Sequence, residues 1–306
     1  MITEFMRFSL TPMVIGILAA VACALPGNFL ILRRQALIGD AISHVVLPGI
    51  VVAFLLTGSV AGGVMMAGAA AAAVIAVALI EFLRRFGRIE PGAAMGVVFT
   101  TLFAAGVLML EQSNTSAVHL DVEHALMGNL EGLVWLRATG WTSLFDADAL
   151  RTLPPELGRM AAVCAAVVVM MALFWRWLVI CTFDAGFARA VGIPAGAVGF
   201  GLVITTAAVA VAAFDAVGSI IVIAMFVCPP AAARLMTNSL PRQIAWSVGF
   251  ATLSAVLGVI LSGYGPLWLG AAHSVSAAGM IATMSGVILL ICGVAGPCRR
   301  GAGQGV

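Results

Sequence analysis

The sequence predicts an all-α polytopic membrane protein with about nine transmembrane helices, organised as one domain over residues 1–306. Three observations predict it. The chain is 62% hydrophobic and only 9% charged, whereas soluble domains run at about 25% charged. Its apolar residues fall into runs of about twenty, the length that crosses a ~30 Å hydrocarbon core. Its arginines gather on alternate connections between those runs, as the positive-inside rule requires.

Composition also excludes several functions. A net charge of +2, with no basic run interleaved with aromatics, argues against a nucleic-acid partner. The chain contains no lysine; all fifteen basic residues are arginine. A phosphate-binding loop of the G-x-x-x-x-G-K-[ST] type needs that lysine, so the chain has no such loop and does not read as an ATP-hydrolysing subunit. The six cysteines are scattered through apolar runs without a C-x-x-C pair. They read as small buried hydrophobes rather than disulfides or a zinc site.

A short mixed leader, Met1–Leu10, precedes the first span, Pro12 to Leu32, which reads as a retained helix rather than a secretion signal. Arg33-Arg34 stop it. The second span begins near Leu37 and ends near Thr57. The third runs to about Leu83, where Arg84, Arg85 and Arg88 follow. Pro91-Gly92 open the fourth, which ends at Glu111. Residues 112–159 form the one long polar region, an extracytoplasmic amphipathic segment lying at the interface, with Trp135 and Trp141 suited to that depth. The fifth span covers Met160 to Cys181, and a cytoplasmic loop follows at 183–193. Pro194 starts the sixth, to about Ala213, with Asp215 and Gly218 in a short turn. The seventh run, Ser219 to Ala233, contains Pro229-Pro230, which remove two backbone donors and predict a broken or short helix. The eighth spans Ile244 to Leu261. A loop at Gly263-Tyr264-Gly265-Pro266 and a polar patch with His273 lead to the ninth, Ala277 to Val294. If the seventh run fails to cross, eight spans remain. Placing Arg33 and Arg34 in the cytoplasm puts the N-terminus outside, the C-terminus inside and the acidic segment 112–159 outside.

The chemistry concentrates in Gly39-Asp40-Ala41-Ile42-Ser43-His44, near the start of the second span. Asp40 and His44 lie four residues apart, on one helix face with Cβ atoms roughly 6 Å apart. Ionisable residues are costly within a bilayer, which makes them functional candidates by default; the simpler reading is a hydrogen bond between them or to a neighbouring helix. Counted from Arg34 at 1.5 Å per residue, Asp40 lies roughly 9 Å and His44 roughly 15 Å into the membrane. Pro48 has no N–H to give the carbonyl four residues back, so His44 could offer a backbone oxygen as well. A carboxylate with an imidazole suits manganese, ferrous iron or zinc, and the absence of cysteine pairs argues against a thiolate site.

Arg33 through His44, with Leu47-Pro48-Gly49, resembles the signature of the permease subunit of metal-type ABC importers, which carry manganese, zinc or ferrous iron. The resemblance continues at Phe183-Asp184 through Gly192-Ile193, at Val217-Gly218-Ser219 through Pro229, Ala231 and Arg234-Leu235, and at Leu120-Asp121 to Gly128-Asn129-Leu130. It implies an ABC importer permease architecture in a bacterial cytoplasmic (inner) membrane. It further implies that Asp40 and His44 contact the passing metal, and that Asp184, Phe187, Ala188, Arg189 and Gly192 belong to a coupling helix docking into a separate ATPase subunit. An extracytoplasmic metal-binding protein would deliver to the outer face, and two permease chains, identical or different, would pair in the lipid. No permanently bound cofactor is implied; the metal is cargo. Two departures stand out: Asp215 brings an acid to a turn that is apolar in the family, and Ala138–Gly158 looks longer than the usual outer linker.

His119, Asp121, Glu123 and His124 form a second constellation, readable as an outer vestibule that collects metal or as the solvated face of an interfacial helix. Two other function classes compete. A gradient-driven secondary transporter or channel would use the same Asp40–His44 site, but should carry relay acids on several spans. An intramembrane protease would need H-E-x-x-H, which is absent. Ser43 and His44 are adjacent and point to different helix faces, so they cannot act as a dyad.

Overall fold

The computed structural model of the protein describes residues 4–59, 62–87, 89–112, 130–137, 143, 146, 150–268 and 275–297. Its elements are helices: a π-helical turn at Phe5–Ser9 running into α1 (Leu10–Leu32), then α2 (Ile38–Thr57), α3 (Gly62–Phe86) and α4 (Pro91–Gln112). After a 3₁₀ turn at Leu130–Gly132 come α5 (Pro155–Leu173), α6 (Trp175–Phe183), α7 (Ala185–Ala190), α8 (Ala195–Val217), α9 (Ser219–Met236), α10 (Leu240–Trp268) and α11 (Ala277–Ala295). Among the described residues nine helices are long and apolar enough to cross a membrane. The protein is therefore a multi-pass membrane protein, as its composition predicts.

Helix α1 is the centre. It packs on α9 and α10 on one side and on α5, α6 and α8 on the other. Its Ala19, Ala20, Ala22, Cys23 and Ala24 are all essentially inaccessible. Small residues of this kind let helix backbones approach closely where lipid offers no hydrophobic drive. Two groups flank this centre. Helices α2, α3 and α4 pack on one another, as do α9, α10 and α11, and α8 bridges α1 to α2 and α3. One polar contact ties the centre to the second group: Gln243 Nε2 donates to Asn28 Oδ1 at 3.1 Å, and Asn28 Nδ2 donates to the Ala24 carbonyl at 2.7 Å.

Several boundaries differ from those read in the sequence, each for a local reason. The seventh run is not broken: Ser219–Met236 is one α-helix with Pro229 and Pro230 inside and buried. Pro230 deprives the Phe226 carbonyl of its usual donor, and that oxygen lies against Gly27 of α1, where a Cβ would collide with it. Similarly, α10 continues through Gly263–Pro266. The Ser262 carbonyl, which loses its partner to Pro266, accepts from the Val275 N–H at 3.2 Å. Asp215 lies within α8, not in a turn. Ala213, Phe214, Ala216 and Val217 are buried and carry the helix on to Gly218, whose φ of 81° ends it. The fifth span breaks at Phe174 into α5 and α6, where Trp175 turns edge-on to Phe29 with ring centroids 6.0 Å apart.

In the polar segment Leu130 and Trp135 turn inward while Glu131 and Leu136 stay exposed. Trp135 is buried, packed on Met6, with its N–H donating to the Arg7 carbonyl at 2.9 Å and its indole Nε1 to Thr152 Oγ1 at 3.3 Å. Glu131 Oε1 accepts from the Ala277 N–H at 2.6 Å, placing a carboxylate on the N-terminus of α11 where the helix dipole favours it.

Candidate functional site

Arg33–Leu37 form a tight elbow between α1 and α2, so α2 begins at Ile38 rather than continuing from Arg34. From Ile38, the helical rise to His44 is only about 9 Å. The pair thus sits nearer the elbow than a helix counted from Arg34 would put it. His44 Nε2 and Asp40 Oδ1 are 3.5 Å apart, with the side chains 41% and 34% exposed respectively. Two ligands each about 2.1 Å from one ion stand roughly 3.0–3.4 Å apart at bond angles of 90–109°. The separation is therefore close to a bite on a single cation, and long for a direct hydrogen bond.

Helix α4 positions the imidazole. Phe99 stacks on His44 with ring centroids 5.4 Å apart and planes 25° apart, and Phe103 meets it edge-on at 5.5 Å and 77°. Gly106, one turn further, lies against Pro48; a Cβ there would stand 2.7 Å from the proline Cβ. Phe99, Phe103 and Gly106 share one helix face by their i, i+4, i+7 spacing. Pro48 is inside α2, so the His44 carbonyl receives no N–H from it. Among the described residues no group of three His, Cys, Asp or Glu side chains comes together. The pair therefore offers one carboxylate and one imidazole, and the His44 carbonyl lacks its usual helical donor.

The 183–193 loop contains a short helix, α7, whose ends are both capped. Asp184 is its N-cap, and its Oδ1 accepts from the Phe187 N–H at 2.8 Å. At the other end the Ile193 N–H donates to the Ala188 carbonyl at 2.8 Å and the Gly192 N–H to the Arg189 carbonyl at 3.1 Å, with Gly192 at φ 80°. That pair of bonds is the Schellman motif, which wants glycine at its left-handed position. Ala188 is fully buried against Cys181 and Ala195. Phe187 points outward at 56% exposure, flanked by exposed Phe183 and Val191, and Arg189 is exposed beside it. Asp184, Ala188 and Gly192 thus build the segment, and Phe187 and Arg189 present it.

Comparison with known proteins decides the family. The sequence matches the ABC 3 transport family over residues 4–135 and 143–295. The chain belongs to the ABC 3 transport family. A manganese transport system membrane protein, MntD of Bacillus subtilis, is 39% identical over 272 residues, covering 89% of this chain and 86% of the relative. A zinc transport system membrane protein, TroD of Treponema pallidum, is 33% identical over 277 residues, covering 90% and 71%. In three dimensions the chain is similar to a chain of PsaBC from Streptococcus pneumoniae in complex with Fab, with a TM-score of 0.73 and 26% identity over 95% of this chain and 92% of that one.

Family membership accounts for the motif blocks read in the sequence, which lie within the matched ranges. The structure brings Asp40 and His44 together, and it gathers Asp184, Phe187, Ala188, Arg189 and Gly192, the residues expected to couple to an ATPase, into one capped helical segment. His119, Asp121, Glu123 and His124 lie outside the described residues, as does His273. Phe99 and Phe103 were missed by sequence reasoning. Their four-residue spacing was the available signal, but two phenylalanines in an apolar run look the same whether they face lipid or an imidazole.

Proposed function

We propose that the chain is the membrane-spanning subunit of an ATP-driven importer for a divalent transition metal, with Asp40 and His44 contacting the ion in transit. The observation that carries this is the 3.5 Å approach of Asp40 Oδ1 and His44 Nε2, within a chain of the ABC 3 transport family. Two side-chain ligands, partly open to their surroundings, suit passage rather than storage, because transport needs a site weak enough to leave. Manganese is the favoured cargo. It accepts an oxygen-rich shell, which the carboxylate, the His44 carbonyl and water can supply, and the 39%-identical relative is named for manganese transport. Zinc and ferrous iron suit the same two side chains.

Energy would come from outside the chain, which has no lysine and hence no phosphate-binding loop of its own. The exposed Phe183, Phe187 and Val191, spaced by four residues with Arg189 among them, offer an apolar patch with a cation to an ATPase subunit. The outer face would receive metal from an extracytoplasmic binding protein. A second permease chain, identical or different, would complete the pathway in the bacterial cytoplasmic membrane. Reconstitution tests the reading against a gradient-driven transporter. In proteoliposomes, Mn²⁺ should accumulate only when the ATPase subunit and ATP are both present. Accumulation driven by a proton or sodium gradient without the ATPase would contradict it.

A further inference from the structure

The end of the molecule that carries α7 also holds a cavity of about 610 Å³. Four arginines line it: Arg33 and Arg34 from the elbow, Arg84 from α3 and Arg189 from α7. Among the described residues Glu81 is the one acid in that lining, and its Oε2 lies 3.0 Å from Arg84 Nη1. Counting the described residues, four cations less one anion leave the wall with three positive charges, which favour an anion over a metal cation.

Two buried polar atoms in this wall have no partner: Arg33 Nη1 and Thr182 Oγ1. Arg33 is half-buried, a charge taken out of water is retained when something pairs with it, and among the described residues no acid pairs with Arg33. Its guanidinium is held in place by the fold. Nη2 lies against α8, where a Cβ at Gly199 would stand only 2.9 Å away. Desolvation lowers the Arg33 pKa; Cys181 opposes the shift and the charge of Arg84 adds to it. The elbow itself is strained. Arg34 has φ 57°, a left-handed conformation seldom adopted by residues other than glycine, and such strain collects at functional sites.

We propose that this cavity is an anion site that takes a phosphate group, carried by an anionic phospholipid headgroup or by free phosphate. Guanidinium forks match phosphate oxygens in pairs, and Arg33 Nη1 and Thr182 Oγ1 supply two waiting donors. Basic pockets between transmembrane helices are known to accept phospholipid headgroups. The remaining wall suits the rest of such a lipid, since Ile38, Ile80, Phe200 and Val203 line it too. A bound phosphate group would bridge the elbow that launches the Asp40–His44 helix to Arg189 of the coupling segment. The site stands apart from the metal reading, since occupancy is read without metal.

Thermal unfolding of the full-length permease in neutral detergent tests it, titrated separately with short-chain phosphatidylglycerol, with phosphatidylcholine and with inorganic phosphate against chloride at matched ionic strength. A midpoint raised by phosphatidylglycerol above phosphatidylcholine identifies a lipid site; one raised by phosphate over chloride identifies a soluble-anion site. Arg33→Gln and Arg84→Gln should each weaken the responding ligand about tenfold or more, the scale of one charge-assisted hydrogen bond. Glu81→Gln should tighten it. Should Arg33→Gln not fold, the opposite shifts of Arg84→Gln and Glu81→Gln decide the matter. No response to either anion, or a response unchanged in both Arg84→Gln and Glu81→Gln, overturns the proposal.

Discussion

An imidazole held between two phenyl rings keeps its orientation whether or not an ion is present. His44 has that support from Phe99 and Phe103, so less ordering remains to be done when a ligand arrives. Ring contacts of this kind are worth about 0.5–1.5 kcal/mol each, or roughly 2- to 10-fold in an affinity. Phe99→Ala and Phe103→Ala should therefore each raise the apparent KM for Mn²⁺ uptake by that factor while membrane levels stay near wild type. An unchanged KM in both would remove the rings from the site. At this scale the sequence was half legible. A carboxylate and an imidazole inside an apolar run stand out because lipid makes them expensive. Aromatic residues in the same run do not, because lipid welcomes them on any face.

Helix α7 turns five separate residues into one device. Asp184 and Gly192 close its ends, Ala188 anchors it, and Phe187 and Arg189 face outward. The two kinds of residue should behave differently on substitution. Gly192→Val forces a branched side chain into φ 80°, which costs about 1–2 kcal/mol or more, so it should lower the unfolding midpoint as well as weaken co-purification of the ATPase. Phe187→Asp should release the ATPase with the midpoint unchanged. Wild-type ATPase yield with Phe187→Asp would show that coupling lies elsewhere. The existence of most helices was readable from run length, but their ends were less so. Glycine and proline stop helices in water, yet here the carbonyl freed by Pro266 finds the Val275 N–H, and the one freed by Pro230 lies against Gly27. Those partners come from other parts of the fold, so no local pattern announces them. The break between Arg33 and Leu37 was readable from the paired arginines, but its tight geometry was not, because a left-handed arginine has no sequence signature.

Across the whole molecule, opposite needs are placed in different parts of the chain. The proposed metal contacts, Asp40 and His44, would offer ligands to a cation, and the arginine-lined cavity beyond the elbow would oppose one. Helix α1 holds both in register, since the elbow leaves its C-terminus and α2 starts from it. Apolar runs of about twenty residues and alternating arginines made this architecture legible from the sequence alone. The meeting of Arg33, Arg84 and Arg189 at one end was legible only as a shared side of the membrane, not as a cavity. The central claim is that Asp40 and His44 handle the transported ion. Uptake of radiolabelled Mn²⁺ and Zn²⁺ in cells carrying wild-type, Asp40→Ala or His44→Ala permease at equal membrane levels tests it most directly. Changing groups that merely support a metal ligand costs 10–100-fold in affinity, so each substitution should cut the initial rate at limiting metal at least about tenfold. Wild-type uptake of both metals in both variants would contradict the account.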